Sequence, residues 1–171
     1  YFYQYLKANK KLIFKKTNVD LNITHVSARS FSKKRIFKIP KKMWLKNYLD
    51  STKIKEIDII VELIGGAEGP AKKLVFAALR NKKHVITANK ALIAKYGNEL
   101  SKIAEDNNVN LEYEAAVCAG IPVIRTLKEG LIANKISKVY GILNGTSNYI
   151  LSSMDKKKLQ FNEALNKELK D

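Results

Sequence analysis

A chain of 171 residues, 46% hydrophobic and 28% charged, is sized for one globular domain or one domain with part of a second. It contains no apolar run near the roughly 18 residues that a membrane-spanning helix needs, and its single cysteine, Cys118, excludes a disulfide within the chain and fits a reducing cytoplasm. The formal charge of +16 raises nucleic acid as a partner, but residues 1–56 hold 15 Lys/Arg against 3 acids and residues 57–171 hold 17 against 13. Only four of the 32 basic residues are Arg, the side chain that base and phosphate recognition favours, so nucleic acid is a disfavoured partner.

Residues 2–14 place Phe2, Tyr5, Leu6, Leu12 and Ile13 at spacings compatible with an amphipathic helix. Leu21 to Ala28 reads as a strand, Ser30 to Lys42 as a basic loop closing at Pro40, and Lys41 to Leu49 as a short helix. Ile57 to Ile64 is almost continuously apolar, the pattern of a parallel strand buried on both faces, and Gly65-Gly66 ends it. A helix over 70–80 follows, with Leu74, Val75, Ala78 and Leu79 on one side. Next come a strand over 84–88 and a helix over 89–105 whose Leu92, Tyr96, Leu100 and Ile103 share a face. A strand over 110–116 and a helix over 120–132, with Ile121, Ile124, Leu127 and Leu131 inward, continue the alternation. Ile136 to Leu143 alternates and is expected to open a second sheet.

Strands alternating with helices through short connections predict an α/β fold: a Rossmann-like parallel sheet with helices on both faces, followed by the start of an α+β domain. Ligands in such sheets collect beyond the carboxyl ends of the strands. Lys90 lies at one of these ends, where a helix begins. The first turn of a helix carries partial positive charge, so a cation there is electrostatically awkward and points to an anion nearby or to proton transfer. Gly65-Gly66 follows another strand, where glycine allows either a close ligand approach or an ordinary turn. Arg29, after the second visible strand and with no acid between Leu21 and Phe37, favours a 2′-phosphate over a free ribose hydroxyl. Glu114, in an apolar strand end, needs a cation, backbone donors or a metal ion as partner. His25, His84 and Cys118 read as structural.

Four ordered blocks, VELIGG (61–66), HVITANKAL (84–92), EAAVCAGIPVIRTLKEGL (114–131) and GILNGTSNYIL (141–151), closely resemble bacterial homoserine dehydrogenases of the monofunctional type. The resemblance implies a partial NAD(P)-binding Rossmann domain over residues 1–133 and the beginning of a substrate-binding and dimerisation domain over 134–171. It implies NADP- or NAD-dependent interconversion of L-aspartate 4-semialdehyde and L-homoserine, in threonine and methionine biosynthesis, by a cytoplasmic homodimer. It places Lys90 at the cofactor and in proton transfer, Ile64 and Gly65 beside the nicotinamide, and Thr146 near the substrate. A sodium ion would be held by Glu114 with the backbone carbonyls of Val117, Ala119 and Ile121; oxygen-only ligation suits a hard cation. The family's first strand and Gly-rich turn have no counterpart in these residues, nor do its substrate-binding acids and second lysine. The expectation is therefore a fragment that neither binds cofactor tightly nor turns over alone. Another NAD(P)-dependent amino-acid dehydrogenase and a basic nucleic-acid-binding module are the alternative readings.

Overall fold

The structure, a computed structural model, describes residues 1–33, 35, 37–142 and 145–168. Its centre is a three-stranded parallel sheet in the order β1 (Ile59–Glu62), β2 (His84–Thr87), β3 (Leu111–Glu112). The register pairs Ile60 with Val85 and Val85 with Leu111, so one side chain from each strand points to the same face. Against that face pack α2 (Pro70–Arg80) and α3 (Lys90–Asp106). Leu74, Val75, Ala78 and Leu79 of α2 meet Leu92, Leu100 and Ala104 of α3 in one buried cluster, with Tyr96 and Ile103 partly buried at its edge. The helical periodicities over 70–80 and 89–105 thus report the core faces of these two helices correctly.

Local chemistry sets the boundaries. Pro70 opens α2 at a position where an N–H would find no partner inside the helix, so its lack of one costs nothing. Gly69 precedes it at φ 73°, ψ −133°, a backbone conformation that a side chain would strain. Asn89 caps α3, its side chain accepting from the N–H of Leu92 at 3.1 Å. Both helices end alike. Lys82 at φ 57° and Asn108 at φ 54° take the left-handed conformation. The N–H groups of Lys83 and Val109 then reach back to the carbonyls of Ala78 and Ala104 at 2.9 and 3.0 Å. Each closure turns the chain directly into the next strand.

The α/β class and the parallel sheet are as expected, and the details differ in six places. The strand β1 is buried on one face only: Ile60 and Glu62 are buried, whereas Ile59 is 42% exposed on the opposite side, as is Ile86 of the neighbouring β2 at 40%. The described helices α2 and α3 cover one face, leaving these side chains open. The strand expected over 21–28 shrinks to an isolated bridge between Val26 and Trp44, because no second ladder partner lies beside it among the described residues. That bridge also holds Trp44 extended, so the helix expected over 41–49 becomes two 3₁₀ turns, Lys41–Met43 and Tyr48–Thr52. Helix α1 (Phe2–Thr17) forms as the spacing predicts but buries none of its residues.

The strand expected over 110–116 stops at Glu112, and Glu114–Val117 winds into a helical turn, α4. The helix expected over 120–132 is reduced to α5 (Val123–Arg125) and a π-turn over Thr126–Gly130. Its apolar positions meet no core: Ile121 is 67% and Leu131 37% exposed. Residues 136–142 form no strand, having no pairing edge beside them among the described residues; Leu143, the last residue of that expected strand, lies outside those described. Helices α6 (Gly145–Lys157) and α7 (Phe161–Glu168) follow, burying Ile150, Ser153 and Ala164. No helix among the described residues is long and apolar enough to cross a membrane.

Candidate functional site

The carboxyl ends of β1 and β2 lie side by side, and between them is a pocket of about 170 Å³ lined by Glu62, Leu63, Ile64, Gly65, Ala88 and Asn89. Two of the residues singled out in the sequence, Ile64 and Gly65, line it, and Lys90 follows Asn89 directly. Gly65 and Gly66 adopt φ 85° and 79°. A Cβ on Gly65 would meet nothing within 4 Å, so glycine is required there by backbone conformation rather than by crowding.

Glu62 organises the pocket from behind. Its side chain is fully buried. Its Oε1 accepts from the N–H groups of Ile64 at 2.6 Å and Gly65 at 3.0 Å, and its Oε2 accepts from the hydroxyl of Thr87 at 2.5 Å. Thr87 in turn accepts from the N–H of Asn89 at 3.1 Å, and the Asn89 amide donates to the carbonyl of Gly66 at 2.7 Å. One network therefore joins the loop after β1 to the turn that delivers Lys90. Each buried polar group in it has a partner, which a buried carboxylate requires.

A second tie lies outside. Glu68 binds Lys95 at 2.7 Å and Lys72 at 3.3 Å and accepts from the hydroxyl of Tyr96. Lys72 also donates to Tyr96 Oη at 2.8 Å. Hydrogen bonding from Lys95 first, then Tyr96 and Lys72, holds the Glu68 carboxyl down to about 2. Lys72 is raised chiefly by Tyr96, and Lys95 chiefly by Glu68. The loop over 63–69 is thus fastened by Glu62 to the sheet and by Glu68 to α3.

Lys90 is the first residue of α3, at the helix start beyond a strand where the sequence places it, and its side chain is exposed. Glu114 is half-buried, and its two oxygens accept from the N–H groups of Ile124 and Arg125, each at 2.9 Å. Of the partners the sequence left open for it, backbone donors are present. The carbonyl of Ile121 accepts from Val123 at 2.8 Å, and Ala119 has φ 54°. Among the described residues no group of three or more His, Cys, Asp or Glu could hold a metal. Arg29 is exposed in the irregular stretch after Val26, and Thr146 is exposed in the first turn of α6; neither lines the pocket. His84 Nδ1 accepts from the N–H of Asn110 at 3.0 Å, a structural contact.

Sequence reasoning missed Glu62, Thr87 and Asn89. The signal was an acid closing the apolar run IDIIVE and a threonine closing HVIT. Only the register, which pairs Glu62 with Thr87, shows that the two meet.

A parallel sheet whose strand ends carry a glycine loop and a capped helix start defines a dinucleotide-binding α/β domain of the Rossmann class. Residues 4–114 match the family described as homoserine dehydrogenase, NAD binding domain, and residues 122–170 match the one described as homoserine dehydrogenase. The chain belongs to the homoserine dehydrogenase family. It is 42% identical over 160 residues to the homoserine dehydrogenase of Neisseria gonorrhoeae, covering 94% of this chain and 36% of that protein. It is also 42% identical over 151 residues to that of Bacillus subtilis, covering 88% and 34%. The crystal structure of a homoserine dehydrogenase from Thiobacillus denitrificans superposes with a TM-score of 0.78 at 40% identity, covering 96% of this chain and 38% of that one. The chain therefore spans little more than a third of the length of these relatives.

Proposed function

We propose that this chain supplies the nicotinamide cleft and part of the substrate region of an NAD(P)-dependent oxidoreductase that interconverts L-aspartate 4-semialdehyde and L-homoserine. The observation that carries the reading is the pocket at the ends of β1 and β2, where the backbone of Ile64 and Gly65 faces the turn that starts α3 at Lys90. Its walls are mostly backbone and apolar side chains, which suit a flat ring. When bound, the nicotinamide accepts or donates the hydride.

The chain's own residues do the rest. Gly65, lacking a side chain, lets the ring approach the loop. Lys90 holds a cationic amine beside the ring and assists movement of the proton that leaves the substrate hydroxyl as the carbonyl forms. Arg29 contributes charge at the adenosine end, favouring NADP. Thr146, at the start of α6, orients substrate. Residues 1–133 form the cofactor domain and residues 134–171 begin the substrate and dimerisation domain of a cytoplasmic homodimer. Each oxygen of Glu114 keeps lone-pair capacity beyond its one backbone bond. Glu114 with the carbonyls of Val117, Ala119 and Ile121 therefore suits a sodium ion that steadies this loop.

The test is homoserine-dependent reduction of NADP⁺ by the full-length protein, with Lys90→Ala as the variant. The expected result is turnover in the wild type and a fall in kcat of roughly a hundredfold or more in the variant, the scale on which positioned proton-transfer groups act. Absence of homoserine-dependent turnover, or an unchanged kcat in the variant, would overturn the reading.

A further inference from the structure

Glycines that follow a parallel strand commonly leave backbone N–H groups free to bind an anion. This pocket is built the other way. The N–H groups of Ile64 and Gly65 donate backward, at 2.6 and 3.0 Å, to the buried Oε1 of Glu62. Thr87 accepts from the N–H of Asn89, so its own hydrogen is directed to Glu62 Oε2. Three donors converge on two oxygens, the pattern that an acceptor-only carboxylate satisfies. None of the ion pairs among the described residues includes Glu62. Its carboxylate lies fully buried in the pocket wall with no ion-pair partner among the described residues. Lys90, which directly follows the pocket residue Asn89, is exposed, so solvent screens it far more than Glu62.

A pocket with its amide donors turned away and a buried negative charge behind it rejects phosphate and attracts a flat cation. We propose that Glu62 is a positioning residue that makes this pocket prefer the positively charged, oxidised nicotinamide ring to the neutral, reduced one. It thereby sets the ratio of the two affinities. The proposal rests on the dinucleotide reading above. Hydride uptake brings one proton and two electrons to the ring and cancels its charge. The attraction to Glu62 is then lost although the ring occupies the same space.

The experiment measures dissociation constants of NADP⁺ and NADPH for the full-length protein by calorimetry. Wild type is compared with Glu62→Gln, which keeps the shape and removes the charge, and with Thr87→Val, which keeps the charge and loosens the network. In Glu62→Gln the oxidised form should weaken roughly five- to tenfold more than the reduced form, the scale expected of one buried charge acting across several ångströms. In Thr87→Val the two forms should weaken by the same factor. Equal weakening of both forms in Glu62→Gln would make Glu62 a scaffold residue only and overturn the proposal. A measurement on the wild type alone guards against a variant that does not fold. Titrated with 1-methylnicotinamide cation and with neutral nicotinamide, the amide resonances of Ile64, Gly65 and Ala88 should report tighter binding of the cation. Equal or weaker binding of the cation again refutes the charge effect. Failure of either dinucleotide to bind wild type overturns the cofactor reading itself, an outcome distinct from equal weakening in the variant.

Discussion

Replacing Asn89 by alanine removes two hydrogen bonds at once from the turn that presents Lys90. The cap to the N–H of Leu92 is 3.1 Å long, and the bond to the carbonyl of Gly66, which ties the loop after β1 to the turn after β2, is 2.7 Å long. Asn89 is only 6% exposed, so water replaces neither bond easily. Loss of an N-cap costs about 1 kcal/mol, and loss of a buried hydrogen bond about another 1 kcal/mol. With a urea dependence of about 2 kcal/mol per molar, the sum of roughly 2 kcal/mol lowers the unfolding midpoint by about 1 M. Serine at the same position retains the cap but is too short to reach Gly66, so Asn89→Ser should recover about half of the loss. Circular dichroism in urea gives both midpoints, and hydrogen exchange at Leu92 and Gly65 reports the two ends of the network separately. If Asn89→Ala moves the midpoint by less than about 0.3 M, or if serine is as damaging as alanine, the network does not couple the loops as described.

Three further outcomes test the same framework. Leu79, fully buried between the sheet and α3, should cost about 2–5 kcal/mol when cut to alanine, measured by urea or thermal unfolding. Gly65→Ala should cost about 1–2 kcal/mol from its positive φ alone, since the added methyl group meets open space; a neutral result would mean that the loop is not held in this conformation. Glu68 has its carboxyl lowered from 4.5 to about 2, so its contribution is present above 4.5 and is lost as pH falls toward 2. Glu68→Gln should therefore be less stable than wild type near neutral pH, and the two should converge in acid; a gap that persists at a pH of about 2 would show that ion pairing is not its source.

Legibility in the sequence followed locality. Helices α2 and α3 were readable because a period near 3.6 residues marks the buried face wherever the helix is long enough to display it several times. The helix start near Lys90 was readable because the HVIT run ends just before it and the apolar period of Leu92, Tyr96, Leu100 and Ile103 begins just after. The stretch over 120–132 carries the same apolar periodicity and yet forms only a short helix and a π-turn, because no layer lies against it among the described residues. Residues 21–28 carry β-branched side chains but form no ladder, since a strand exists only with a partner and Val26 finds just Trp44.

The candidate site divides the same way. Lys90, Ile64 and Gly65 were accessible from sequence because each follows a strand directly, and in a parallel sheet every such position lies at the same end. Sequence by itself determined the α/β class, the two core helices and the end of the sheet that carries the candidate site. Tertiary structure alone decided that Glu62 faces Thr87 and that the loop amides turn inward. It also decided that the loop after β1 and the turn after β2 are joined through one hydrogen-bond network. These contacts join residues 25 positions apart through strand register, and register is set by packing the whole sheet against its helices rather than by any local preference.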